Sequence, residues 1–214
     1  MEKQILKHVV IIVAHPDDET LWAGGTIIRN PLWKYVVICL CRKSDMDRAP
    51  KFFKALTLLG ATGVMGDMDD GPEQTPLNDS EVQNLIIQLI PNKMYDIIIT
   101  HNPNGEYTRH LRHEEVSKAV INLWAKGLLV AKQLWTFAYD DEHKSQYPKP
   151  CVEADFYHIL NQCIFDLKYS IITQTYGYES SSWEAKTSPE NEAFWCFHNP
   201  SKAMQWLAQG GIVS

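Results

Sequence analysis

Apolar positions along the chain fall into short unbroken runs that alternate with helical stripes. Val9 to Ala14 is the first run, Val36 to Leu40 the second, and Asp96 to Thr100 (DIIIT) carries another. Runs this short and this β-branched suit parallel strands buried on both faces. Gly63 to Gly66 reads as a short strand, and Gln133 to Ala138 as a later one. Between them the period lengthens. Thr20 to Ile28 can form a short helix in which Gly24 and Gly25 permit close packing. Arg48 to Leu59 places Phe52, Ala55, Leu56 and Leu59 on one face, and Gly60 ends it as a C-cap. Asp79 or Ser80 is expected to cap a helix running to Ile90, stopped by Pro91. Leu111 to Trp124 is the next helix. Asp155 is expected to cap an amphipathic helix that turns Phe156, Ile159, Leu160, Cys163, Ile164 and Leu167 inward. Asp67–Asn78 and Asp140–Pro150 are polar loops. In the tail from Gln174, Trp183, Trp195 and Trp206 suit the core or a subunit contact in a homo-oligomer.

Strands alternating with helices mean an α/β fold with a mainly parallel sheet. With strand order 3-2-1-4-5, the first and fourth strands adjoin at the switch point, and ligands bind outside the carboxyl ends there. Both of those strands end in polar clusters, His15–Glu19 and His101–His113. The two clusters should face each other across one crevice.

Composition narrows the classes. The 214 residues suit one domain, and 45% hydrophobic with 21% charged residues describe an ordinary globule. The net charge of −6 argues against a nucleic-acid partner. The apolar run near the start is too short for a signal peptide and is followed by acidic residues, and no stretch suits a membrane span. Five cysteines with no C-x-x-C fit free thiols in a reducing cytoplasm.

A strand ending in His-Pro-Asp-Asp-Glu is unfavourable unless its charges bind something. Three carboxylates would repel a pyrophosphate, so a dinucleotide is a poor occupant. A metal fits. His15 and Asp18 are three apart, so one turn brings both to one side, while Asp17 points elsewhere. Either His110 or His113 would complete a two-His, one-carboxylate set with open positions, the pattern of a catalytic metal site. Glu106, His101 and Asp70 lie on predicted loops near the crevice and read as ordinary loop polarity.

Ala14-His15-Pro16-Asp17-Asp18-Glu19 resembles the first signature of the PIG-L/LmbE-like deacetylases, metal-dependent N-acetylglucosaminyl deacetylases and their relatives. His110-Leu111-Arg112-His113 resembles the second, commonly His-Pro-Asp-His, in its histidines alone. Arg48, followed by Ala55 and Leu59-Gly60, resembles a family helix whose arginine contacts substrate, although Lys51 stands where many members have Glu. The resemblance covers the chain to about Val120. It implies a Rossmann-like three-layer fold and a single domain over 1–214, with 174–214 as an aromatic-rich C-terminal extension packed on it. It implies that His15, Asp18 and His113 bind Zn2+, or Fe2+ or another divalent metal. Asp17 would be the general base, and His110 would stabilise the oxyanion or protonate the leaving amine. Arg48 would bind substrate. Tyr107, three residues before His110 where some relatives place a tyrosine two before, would do so too.

The implied activity is hydrolytic removal of an acetyl group from an N-acetylglucosamine-type amino sugar or glycoconjugate, in the cytoplasm. The alternative on the same fold is a metal-dependent hydratase of a small carboxylic acid, with Arg48, Arg109 and Arg112 holding carboxylates. Two histidines and a carboxylate also suit a non-haem iron oxygenase, a chemistry the expected fold disfavours.

Overall fold

The computed structural model describes residues 6–92, 94–107 and 109–211. Residues 1–5, Lys93, Thr108 beside Tyr107, and residues 212–214 lie outside the described residues. In chain order the elements are β1 (His8–Val13), α1 (Asp18–Arg29), β2 (Lys34–Cys39), α2 (Arg48–Leu59), β3 (Thr62–Met65), α3 (Asp79–Leu89), β4 (Met94–Thr100) and α4 (Leu111–Ala125). They continue as β5 (Val130–Phe137), β6 (Tyr139–Asp140), β7 (Lys149–Pro150), β8 (Phe156–Ile159), α5 (Gln162–Ser170), α6 (Trp183–Thr187), β9 (Asn191–Phe197) and α7 (Pro200–Ala208).

The main sheet runs β3-β2-β1-β4-β5-β9-β8. Its first five strands are parallel, in the expected 3-2-1-4-5 order, and β9 and β8 join antiparallel. Every residue from Val9 to Ala14 is fully buried, because helices cover both faces. Val9, Ile11 and Val13 share one core cluster with side chains of α1 and α2, while Val10 and Ile12 share another with side chains of α3, α4 and α7. Each such aliphatic side chain stabilises the fold by roughly 1.5–3 kcal/mol over leaving it in water. Among the described residues no helix is long and apolar enough to cross a membrane.

Three sequence expectations need correction. Asn78, not Asp79 or Ser80, occupies the N-cap of α3. The helix expected from Asp155 starts later. Phe156–Ile159 is instead strand β8, paired with β9, and Asp155 Oδ2 accepts a hydrogen bond from Cys196 N at 2.7 Å. Sheet pairing overrides the helical spacing of these apolar residues. The helix is then capped by Asn161, whose side chain accepts from Ile164 N at 3.0 Å. The inward face of α5 is also not the expected one: Cys163 and Leu167 are exposed and Lys168 is buried.

Lys168 is explained by Glu192 on β9. The two form a 2.9 Å ion pair with both side chains wholly buried. Glu192 also accepts from Gly25 N, Thr26 N and Thr26 Oγ1, each at 2.7 Å. The carboxylate therefore grips the middle of α1. Gly25 makes this possible, since a Cβ there would stand 2.5 Å from Leu160 and 3.0 Å from Glu192 Oε1. Lys168→Met should destabilise the protein by about 3–5 kcal/mol, by leaving a buried carboxylate without its cation. Urea unfolding checks this, and adding Glu192→Gln should restore a large part of the loss.

Candidate active site

The site begins where β1 ends. Asp17 sits at φ 113° and ψ −28°, a backbone geometry that L-residues rarely adopt and that costs roughly 1–3 kcal/mol. Several bonds hold it there. Asp17 N donates to Glu19 Oε2 at 3.1 Å, and Asp17 O accepts from Thr20 N and Leu21 N at 2.9 and 2.8 Å. Glu19 is fully buried, with Oε1 taking Thr20 Oγ1 and Tyr176 OH at 2.5 and 2.7 Å. Burial pushes its carboxyl pKa up. The turn separates two adjacent carboxylates, sending Asp17 and Asp18 to different partners.

Asp18 goes to the histidines. His15 Nδ1 lies 3.2 Å from His113 Nε2, and Asp18 Oδ2 lies 3.4 Å from each of those nitrogens. Three electron-pair donors this close repel one another unless a cation or a proton lies among them. A tetrahedral zinc with ligands at about 2.0–2.1 Å has ligand-to-ligand edges of roughly 3.3–3.4 Å. The triangle therefore has the size of one face of such a tetrahedron. Burial opposes the charge on Asp18, but His113 and His101 hold its pKa well below the usual carboxylate range.

Further residues orient the triangle. Glu106, fully buried, accepts from Asn102 N through Oε1 at 3.0 Å. Its Oε2 lies 2.6 Å from His113 Nδ1 and 2.9 Å from His101 Nδ1. Ala14 N lies 3.0 Å from His101 Nε2, and the Nδ1 of His101 is directed at Glu106. Burial would raise the pKa of Glu106, yet His101 and His113 hold it at about 2. With Glu106 taking the Nδ1 proton of His113, Nε2 is left bare toward Asp18. A carboxylate behind a ligating histidine commonly fixes tautomer and ring orientation in metal sites. On the other side His15 Nε2 faces Asp70 Oδ1 at 3.3 Å, and Asp70 is held by Arg42 at 2.5 Å.

Asp17 faces a cavity of about 540 Å³ that also touches His15, Asp18, Arg48, Tyr107 and His110. Its Oδ2 accepts from Arg48 Nη2 at 2.8 Å and from Tyr178 OH. Burial and the nearby Asp18 charge raise its pKa to about 7, against the pull of Arg48 and Tyr178. His110 is pushed down to about 3 by burial and by His113 and His15, so it is neutral at pH 7. Its Nδ1 is buried and has no hydrogen-bond partner among the described residues; so is Nε of Arg48. The Tyr107 ring packs edge-on against His110, His113 and Trp183.

The structure thus gathers His15, Asp17, Asp18, Arg48, Tyr107, His110 and His113 around one pocket. Arg109 and Arg112 are not there. Arg109 pairs with Glu114 at the surface, and Arg112 is buried against Asp69 O, Thr75 O and Glu115. Neither lines the pocket that Arg48 enters. Sequence reasoning undervalued His101, Glu106 and Asp70, and missed Tyr176 and Tyr178. The two tyrosines are brought in from far along the chain, and no local pattern marks them.

Comparison with known proteins follows this geometry. The family model PIG-L, described as GlcNAc-PI de-N-acetylase, matches residues 10–124, more than half of the chain. The uncharacterized protein L374 of Acanthamoeba polyphaga mimivirus is 27% identical over 152 residues. The match covers 64% of this chain, and this chain spans 64% of that curated relative. Among solved structures, the N,N'-diacetylchitobiose deacetylase of Pyrococcus horikoshii is similar with a TM-score of 0.67 and 14% identity, over 90% of this chain and 84% of that one. GalB, the 4-carboxy-2-hydroxymuconate hydratase of Pseudomonas putida KT2440, has a TM-score of 0.59 and 18% identity, over 85% of this chain and 83% of that one. At these identities the two structures share the fold.

Glu106→Gln should lower affinity for a divalent metal by about 10- to 100-fold, because the charge behind His113 is lost. Competition against a chelating dye measures this, with circular dichroism reporting that the fold is intact. Unchanged affinity would separate Glu106 from the site.

Proposed function

The chain belongs to the PIG-L family, whose members are deacetylase-type hydrolases, and from that premise we propose that it is a zinc-dependent N-deacetylase of an N-acetylglucosamine-type amino sugar or glycoconjugate. The observation that carries this reading is the triangle of His15 Nδ1, Asp18 Oδ2 and His113 Nε2 beside an independently held Asp17. Those three residues would hold the cation. Zn2+ suits the donor set best, and Fe2+ or another divalent ion suits it too. When bound, the cation supplies Lewis-acid polarisation of the amide carbonyl and acidifies water.

The chain's own groups do the rest. Tyr178 and Arg48 both bond Oδ2 of Asp17, which leaves Oδ1 to take the proton from the attacking water. His110, being neutral, works as an N–H donor to the developing oxyanion rather than as an imidazolium. The proton held by Asp17 then passes to the leaving nitrogen, and the products are acetate and a free amine. Arg48 lines the pocket and its Nε has no hydrogen-bond partner among the described residues, so the guanidinium is the group placed to meet a substrate oxygen. Tyr107 and Trp183 offer aromatic walls to a sugar ring.

The hydratase alternative is disfavoured because, of its three arginines, Arg48 alone reaches the pocket, and it is bonded to Asp17. Zinc-loaded protein assayed for acetate release from N-acetylglucosamine derivatives, and for water addition to unsaturated carboxylic acids, separates the two. Acetate release is expected; water addition without it would overturn the deacetylase reading. Asp17→Asn should keep its metal content and lose about 10²- to 10⁴-fold in kcat. Undiminished turnover in that variant would remove Asp17 from the role of base.

A further inference from the structure

The loop joining β3 to α3 reaches the catalytic pocket, and Asp70 is the side chain it presents there. Asp70 Oδ1 stands 3.3 Å from His15 Nε2. That nitrogen is buried and makes no aligned hydrogen bond among the described residues. His15 turns its Nδ1 toward His113. A neutral His15 that offers Nδ1 to a cation therefore carries its proton on Nε2, toward Asp70. Asp70 thus stands behind His15 as Glu106 stands behind His113. A carboxylate in that place is useful only at the right distance, and residues 66–78 form no helix or strand that could set it.

A buried arginine does so. Arg112 lies in the first turn of α4, between His110 at the N-cap and His113, and is fully buried. Its guanidinium reaches both ends of the 70–74 segment. Nε donates to Asp69 O at 2.5 Å, and Nη2 to Thr75 O at 3.0 Å. Nη1 donates to Glu115 Oε2 at 2.6 Å, and Glu115 Oε1 accepts from Leu77 N at 2.7 Å. Inside the clamped segment, Gln74 Nε2 donates to Asp70 Oδ1 at 3.0 Å. Arg112 and Glu115, three apart, share one side of α4, and His113 projects from another. The same turn of helix therefore supplies one corner of the triangle and grips the loop that backs a second corner. Position 112 is also where this chain departs from the aspartate common in the second signature.

We propose that Arg112 is a positioning residue for the metal centre: by spanning Asp69 O and Thr75 O it holds Asp70 against His15, and so sets the affinity of the His15, Asp18 and His113 triangle for a divalent cation. The chemistry calls for arginine. A planar fork gives separate N–H groups to two carbonyls and a carboxylate at fixed angles, whereas a lysine ammonium is a single point on a flexible stem. The proposal rests on the triangle being a cation site and is independent of which substrate is cleaved.

The test is a double-mutant cycle on the full-length protein, read as affinity for Zn2+ in competition with a chelating dye. Asp70→Asn should weaken binding by about 10- to 100-fold, and Arg112→Lys by about tenfold. In the Asp70→Asn protein, adding Arg112→Lys should change affinity by less than about twofold, since both substitutions remove one contact. An arginine that merely supports the fold would cost the same in either background, and that result overturns the proposal. Hydrogen exchange over residues 69–77, followed without metal, should quicken in Arg112→Lys; unchanged exchange overturns it too. Should Arg112→Lys fail to fold, Glu115→Ala, which frees Leu77 N and removes the carboxylate beside Arg112, takes its place in the cycle with the same non-additivity expected. Wild-type protein that binds no Zn2+ overturns the metal reading and the coupling together. Zn2+ binding with additive losses keeps the metal reading and overturns the coupling alone.

Discussion

Two neighbouring carboxylates must not share one environment: the rest of the site depends on that constraint. Placed among the same partners, two adjacent carboxylates would raise each other's pKa. The left-handed backbone at Asp17 separates them. Asp18 is delivered to three histidines, which favour its charge. Asp17 is delivered to one arginine and one tyrosine, which favour its charge less than burial and Asp18 oppose it. One carboxylate is thus fixed as an anion, and its neighbour is poised near neutrality. Adjacent residues of the same type acquire different chemistry from a single backbone torsion.

Keeping that torsion needs an unusually dense supporting structure. Glu19 captures the Asp17 amide, and Tyr176 and Thr20 in turn fix Glu19. Arg48 reaches from α2 to both Pro16 O and the Asp17 carboxylate. Below the turn, Glu192 and Lys168 hold α1 by its middle. The charges at the end of β1 are compensated one by one, as a buried polar network requires.

Much of this was readable in the chain because it is local. Six buried apolar residues followed by His-Pro-Asp-Asp-Glu mark both a central strand and its charged exit. Helix α2 starts and stops where Arg48 and Gly60 say it should, since periodicity and a left-handed glycine are properties of adjacent residues. The unread parts are non-local. Tyr178 touches Asp17 across 161 positions, and nothing near Tyr178 distinguishes it from another loop aromatic. His101 and Glu106 gain meaning only once β4 lies beside β1. Strand β8 was misread because Phe156 and Ile159 satisfy a helical spacing, which pairing with β9 overrides.

The bonds between Glu192 and the amides of Gly25 and Thr26 have a consequence for the order of events during synthesis. They close loops of 167 and 166 residues. A ribosome releases α1 long before it releases the carboxylate that secures it, and Tyr176 and Tyr178 also emerge late. A nascent chain therefore displays the His15–Glu19 turn without the groups that fix it, and contacts this distant in sequence form slowly. A chain stopped before residue 176 would retain His15, Asp18 and His113 while lacking Tyr176, Tyr178 and Glu192 to hold the turn in place. Completion of the polypeptide, more than the signature at its beginning, is what makes the centre competent.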